Sequence, residues 1–249
     1  MMLRMVDAPS PNFNERLHPL DMLVLHYTGM KDGPSALARM RDPVSQVSAH
    51  YMVEEDGSVF ALVAEDKRAW QAGRSCWRGE EDLNSRSIGV EVVNGGHEFG
   101  LPPYPDVQID AVIALCRGIL SRWPIPQNRI VAHSDIAPER KEDPGERFPW
   151  KRLAEAGVGL WPTLEDDAQL APVGLRRGDR GPNVISLQHN LSIIGYRLDP
   201  SGRFDAPTEA VVRAFQRRWR PTSVTGHGDV ATVLWVEAVA KLATAPTLA

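Results

Sequence analysis

Asp21-Met22-Leu23-Val24-Leu25-His26-Tyr27-Thr28 is the stretch that decides how this chain is read. Met22 to Tyr27 is an apolar run of strand length that ends on a histidine and a polar residue. Two further runs, 87–93 and 129–132, have the same length and the same polar or turn-forming borders. Asp56-Gly57 stands between Tyr51-Met52-Val53 and Val59-Phe60-Ala61-Leu62, the signal of a hairpin turn between two more strands. Residues 107–123 have helical patterning, with Val107, Ala111, Leu115 and Ile119 expected on one buried face. The first 155 or so residues therefore read as α/β, a mixed sheet with helices packed on it.

Past residue 160 the pattern changes. Residues 161–174 carry two prolines and an acidic cluster without a sustained period, which is linker composition. Beyond them, Val184, Leu187, Leu191 and Ile194 mark one helical face, Val211, Phe215 and Trp219 a second, and Val233, Val236 and Ala240 a third. The expected division is an α/β domain over 1–160, a linker over 161–174 and a small all-α three-helix domain over 175–249.

A net charge of -4 gives no basic excess, so a nucleic-acid partner is not expected. The two cysteines, Cys76 and Cys116, read as thiols, since a chain of 249 residues does not depend on one disulfide for its core. No segment approaches the roughly 18 consecutive apolar residues of a membrane span. The amino terminus reaches Pro9 and Pro11 without the apolar core of a secretory signal, and the expectation is a cytoplasmic protein, the alternative being a periplasmic or extracellular one whose signal has been removed.

Chemistry-bearing side chains stand where the strands end. His26 closes Leu23-Val24-Leu25, His133 closes Ile130-Val131-Ala132, and Asp143 follows ten residues later. Two imidazoles and a carboxylate form a three-ligand zinc set with a fourth position open to water, the pattern of a catalytic rather than a structural site. A single histidine at a strand end is ordinarily a hydrogen-bonded structural residue, so spacing alone does not settle the matter.

Five strings in order carry more weight: LVLHYT (23–28), SAHYMVEEDG (48–57), RAWQAG (68–73), NSRSIGVEVVN (84–94) and VAHSDIAPERKEDPG (131–145). Together they resemble the amidase 2 family of N-acetylmuramoyl-L-alanine amidases. The resemblance implies a fold like that of peptidoglycan recognition proteins, with His26, His133 and Asp143 as Zn2+ ligands and Glu91 and Lys141 as the catalytic pair. It places His50, Trp70 and Gln71 along the substrate groove, with His50 there or in packing, and leaves His18, His97, His189 and His227 at the surface. Ile88, Val90 and Val92 alternate around Glu91, which suits a carboxylate turned toward a site. Where the family pattern has a histidine, this chain has Gln71, which keeps hydrogen-bonding capacity but does not titrate near neutral pH. That departure bears on substrate recognition more than on hydrolysis.

The strings LRRGDRGPNVISLQHNLSIIGY (175–196) and SGRFDAPTEAVVRAFQ (201–216) resemble the three-helix peptidoglycan-binding domain attached to many wall hydrolases. The implied activity is hydrolysis of the amide between N-acetylmuramic, or anhydro-N-acetylmuramic, acid and L-alanine, with peptidoglycan or muropeptides as the partner. Two alternatives have other chemistry: a non-catalytic peptidoglycan recognition protein, against which the retained ligands and Glu91 argue, and a zinc peptidase of wall peptides. The absence of an export signal favours a recycling enzyme acting on soluble anhydro-muropeptides.

Overall fold

The protein is described by a computed structural model over residues 3–164 and 174–245, so most of the expected linker lies outside the described residues. Strands β1 (Met5–Asp7), β2 (Phe13–Glu15), β3 (Met22–Tyr27), β4 (Tyr51–Val53), β5 (Val59–Ala61), β6 (Lys67–Ala69), β7 (Ser87–Val92) and β8 (Ile130–Ala132) build the first part. Six of them form a sheet in the order β1-β5-β4-β7-β3-β8, while β2 and β6 pair as a separate ribbon. The hairpin read from Asp56-Gly57 is the antiparallel β4/β5 pair, and the other pairings in the sheet are parallel. Helices α1 (Gly33–Arg41), α2 (Leu83–Arg86), α3 (Asp106–Arg122), α4 (His133–Ile136) and α5 (Trp150–Glu155) complete this part.

Alternation along the strands sorts side chains to two faces. Leu23, Leu25, Ile88, Val90, Val92, Ile130 and Ala132 join Ile109, Val112, Leu115 and Ile119 of α3 in one core. Val107, expected on that face, is 45% exposed. Four residues advance a helix by 400°, so a row of four-residue steps drifts about 40° per step off the buried stripe. Ala111, Leu115 and Ile119 are buried as expected, and Ile109, Val112 and Cys116 widen the stripe.

Met22, Val24 and Val131 point to the opposite face. They are covered by α6 (Pro182–Ile194), α7 (Ala206–Trp219) and α8 (Val230–Thr244), which follow the short strand β9 (Gly174–Leu175), with β10 (Gly228–Asp229) between α7 and α8. Gly181 then Pro182 open α6, and Asp205 and Asp229 cap α7 and α8 through Thr208 N–H (3.1 Å) and Thr232 N–H (2.7 Å). The helices after residue 174 pack on this face of the sheet through a shared apolar cluster, while the α3 face keeps a cluster of its own. Trp77, Leu83, Val131 and Ile136 share one apolar cluster with Leu191, Tyr196, Phe215 and Trp219. Cys76 and Cys116 are both free and buried. Among the described residues no helix is long and apolar enough to cross a membrane.

Candidate metal centre

Strands β7, β3 and β8 lie side by side and parallel, which brings their carboxyl ends together. His26 stands opposite Glu91 in the β3/β7 register, and Leu25 opposite Ala132 in β3/β8, so His133 emerges beside His26. Alternation turns His26 to the face of Met22 and Val24, and Glu91 to the same face, because Ile88, Val90 and Val92 face α3. Asp143 arrives from the segment after α4, tied down where its carbonyl accepts from Ser134 N–H at 3.0 Å. His26, His133 and Asp143 are buried, and their ligand atoms form a compact group. Nδ1 of each histidine lies 3.0 Å from Asp143 Oδ2, and the two Nδ1 atoms are 2.9 Å apart.

The outer ring nitrogens show which form the imidazoles take. His133 Nε2 faces the Ala72 carbonyl at 3.1 Å, closer than the donor Arg140 Nη2 at 3.5 Å, so the shorter contact favours the proton on Nε2. For His26 the partner is Gln71 Oε1, at 2.5 Å from Nε2. The Gln71 amide is oriented in turn: its Nε2 donates to Ser87 Oγ at 2.7 Å, and that hydroxyl donates to the Leu83 carbonyl at 2.5 Å. Both Nδ1 atoms therefore present lone pairs to one another and to a carboxylate. Three buried acceptors converging with no proton between them repel unless a cation joins them, and two nitrogens with one oxygen suit a tetrahedral metal with an open position. The residues fit the metal site that the sequence implies.

Electrostatics act on the three groups in different directions. Burial works to raise the Asp143 carboxyl, but His133 and His26 hold it far below the usual carboxylate range. Burial lowers His133 to about 4 despite Asp143. For His26 burial acts downward too, yet Glu91 and Asp143 outweigh it and its pKa is raised. Burial pushes the Glu91 carboxyl up to about 7, with Asp143 adding to the rise and His26 and Lys141 opposing it. Glu91 Oε2 has no hydrogen-bond partner, an orphaned acceptor beside the ligand group. A groove of about 400 Å³ opens over these groups, and Glu91, Lys141, His133 and Asp143 line it together with Tyr27, Trp70 and Gln71. A second hollow of about 630 Å³, lined by Arg74, Arg140 and Arg197, includes none of the ligands.

Not every residue read from the sequence reaches the groove. His50 is fully buried immediately before β4, where Nδ1 accepts from Gly89 N–H (2.9 Å) and Nε2 meets the Lys67 carbonyl (3.0 Å) and Arg16 Nη2 (2.9 Å), and it does not line the groove. Burial, with Arg16 beside it, lowers its pKa to about 3. Gln71 lines the groove but also orients a metal ligand, so the departure from the family pattern bears on the metal site directly. Gly89 makes room for it: a Cβ there would meet Gln71 Cγ at 2.5 Å. His97 was expected at the surface and is half-buried, with Tyr27 Oη 3.1 Å from Nδ1 and Glu146 Oε2 3.0 Å from Nε2. Tyr27 directly follows His26 and was not singled out in the sequence, although a residue one beyond a strand-end ligand is a natural groove candidate.

Two imidazoles at the carboxyl ends of parallel strands and a carboxylate from the segment after α4, open to a groove with a second carboxylate, define a metal-dependent hydrolase site. A family model described as N-acetylmuramoyl-L-alanine amidase matches residues 16–146, and one described as a putative peptidoglycan binding domain matches residues 180–234. The chain is 39% identical over 238 residues to the N-acetylmuramoyl-L-alanine amidase AmiD of Escherichia coli (strain K12), covering 88% of this chain and 82% of that protein. The structure of E. coli AmiD with the substrate anhydro-N-acetylmuramic acid-L-Ala-D-gamma-Glu-L-Lys superposes with a TM-score of 0.76 at 34% identity, covering 93% of this chain and 98% of that one. AmpDh3 from Pseudomonas aeruginosa, in complex with anhydromuramic pentapeptide, gives a TM-score of 0.75 at 33% identity over 90% of this chain and 92% of that one. This chain belongs to the N-acetylmuramoyl-L-alanine amidase family, as a catalytic sheet joined to a peptidoglycan-binding-type helical region.

Proposed function

We propose that this amidase acts on soluble anhydro-muropeptides, releasing the stem peptide at the amide between anhydro-N-acetylmuramic acid and L-alanine, with zinc as its metal. The observation that carries the reading is the convergence of the two Nδ1 lone pairs and Asp143 Oδ2 beneath a groove that Glu91 and Lys141 also line. Zinc held there would lower the pKa of a bound water from 15.7 toward about 7 and supply a nucleophile at neutral pH. Glu91, buried and with one oxygen unpartnered, takes the proton of the attacking water and returns it to the departing amine of L-alanine. Lys141, two residues before Asp143, lines the groove and supplies an ammonium to stabilise the negative charge that develops on the amide oxygen. Trp70 offers an aromatic wall to the sugar, its indole N–H anchored on Asn14 Oδ1 at 2.8 Å.

Support for the anhydro-sugar substrate comes from the two structural relatives whose bound ligands carry that group. The test is mass spectrometry of products from soluble anhydro-muropeptides and from intact sacculi, run side by side with kcat/KM for each, the quantity that measures discrimination between substrates. Free anhydro-sugar with a peptide beginning at L-alanine, and a higher kcat/KM on the soluble substrate, is the expected result. Cuts within the peptide would make the protein a peptidase, and preference for sacculi would reverse the substrate assignment.

A further inference from the structure

The two segments that carry His133 and Asp143 are both fastened to α7, a helix of the peptidoglycan-binding region that contributes nothing to the groove itself. Asp135 lies two residues after His133 and is 1% exposed. One of its oxygens, Oδ2, accepts from the Ala132 backbone N–H at 2.9 Å and so fixes the start of α4, where His133 sits. The same oxygen receives Arg218 Nη1 at 2.7 Å, and Oδ1 receives the Tyr196 hydroxyl at 2.6 Å. Arg218 is 4% exposed, its other terminal nitrogen donates to the Ile130 carbonyl in β8 at 3.0 Å, and its guanidinium lies over the Trp150 ring at 4.1 Å. Arg217, next along α7 and 7% exposed, donates to Glu142, the residue immediately before Asp143.

We propose that Arg217 and Arg218, with Tyr196, are positioning residues for the metal site, so that the helical region clamps the two ligand-bearing segments in addition to any hold it has on substrate. The inference rests on His133 and Asp143 being metal ligands. Its physical basis is that a metal site gains affinity from partners that restrict its ligands before the ion binds. Arg218 does this through Asp135 and the first turn of α4, and Arg217 does it through the backbone shared by Glu142 and Asp143. A domain that only tethered the enzyme to polymer would have no need to place two buried arginines against the ligand-bearing segments.

Full-length variants test the clamp. Tyr196→Phe removes only the hydroxyl and keeps the edge-on contact of this ring with Trp77. Arg217→Gln and Glu142→Gln break the outer pair, whose carboxylate is partly exposed and whose loss the fold can absorb. Arg218→Lys keeps the charge but not the fork. The readouts are the zinc dissociation constant by chelator competition and the visible spectrum of the cobalt-loaded protein, both sensitive to ligand geometry. Zinc binding should weaken by about tenfold in Tyr196→Phe and in Arg217→Gln, with a changed cobalt spectrum. Arg217→Gln combined with Glu142→Gln should be no worse than either alone, because the two act as a pair. Should Arg218→Lys fail to fold, the other variants decide. Folded Tyr196→Phe and Arg217→Gln proteins with wild-type zinc affinity and cobalt spectrum overturn the clamp. A wild-type protein that takes up no zinc refutes the metal assignment itself.

Discussion

Gln71→Ala removes the acceptor that holds the proton of His26 on Nε2. The bond is short, 2.5 Å, and its orientation is set by the Ser87 hydroxyl on the far side of the amide. Without it the His26 N–H is left in a buried site and the ring is free to exchange tautomers, so part of the population turns a proton rather than a lone pair toward the metal. Outer partners of metal-bound histidines are worth about 10- to 100-fold in affinity, which corresponds to roughly 1.4–2.7 kcal/mol. Chelator competition at fixed pH measures the zinc dissociation constant, and kcat/KM measured with excess zinc separates lost metal from lost turnover. Gln71→His, which returns the family residue, should recover most of the affinity. Gly89→Ala offers an independent route to the same defect, because its Cβ would come within 2.5 Å of Gln71 Cγ and push the amide off His26. Unchanged zinc affinity in both Gln71→Ala and Gly89→Ala would refute the tautomer argument.

Glu91→Ala should retain zinc while kcat falls by about 10²-fold or more, the scale of a lost general base; a variant that loses its metal would show that Glu91 is a ligand. His50 supplies a pH dependence of stability. Its folded pKa of about 3 lies below the ordinary histidine value of 6.5, so between those limits the unfolded chain binds the extra proton and stability falls as pH is lowered through that window. Urea midpoints of the wild type should therefore drop from pH 7 to pH 5, and His50→Gln should show a shallower drop over the same interval; parallel curves would contradict the buried neutral histidine. Ending the chain before Leu175 would bare Met22, Val24, Val131 and Ile136 and strip Asp135 of both side-chain donors, so the truncated protein should be recovered largely insoluble or lacking a cooperative unfolding transition. A soluble, cooperatively folded and fully active fragment would show that the shared core is dispensable.

Strands β3, β7 and β8 and the β4/β5 hairpin were legible because each is a short apolar run with turn chemistry at its ends. The short β1, β2 and β6 were not. Three residues with no clear alternation give no local signal, and their pairing is decided by distant partners such as Val59 for Met5 and Ala69 for Phe13. His26, His133 and Asp143 could be named because strand ends and a family string both pointed to them. The acceptors behind them could not: Ala72 contributes a backbone carbonyl, and Gln71 was read as a groove residue because its bond to His26 spans 45 positions of sequence. The shared core was hidden for a related reason. The apolar stripes of α6–α8 announce three packed helices, yet nothing local in Met22, Val24 or Ile136 shows that they cover the sheet.

Titration of zinc into chelator-treated protein, with hydrolysis of a soluble anhydro-muropeptide as the readout, tests the central claim most directly. The wild type should be inactive without metal and regain full activity at close to one zinc per chain, while Asp143→Ala should neither bind the ion nor recover. Full turnover in demonstrably metal-free protein, or restoration of Asp143→Ala by the same single equivalent, would contradict the account.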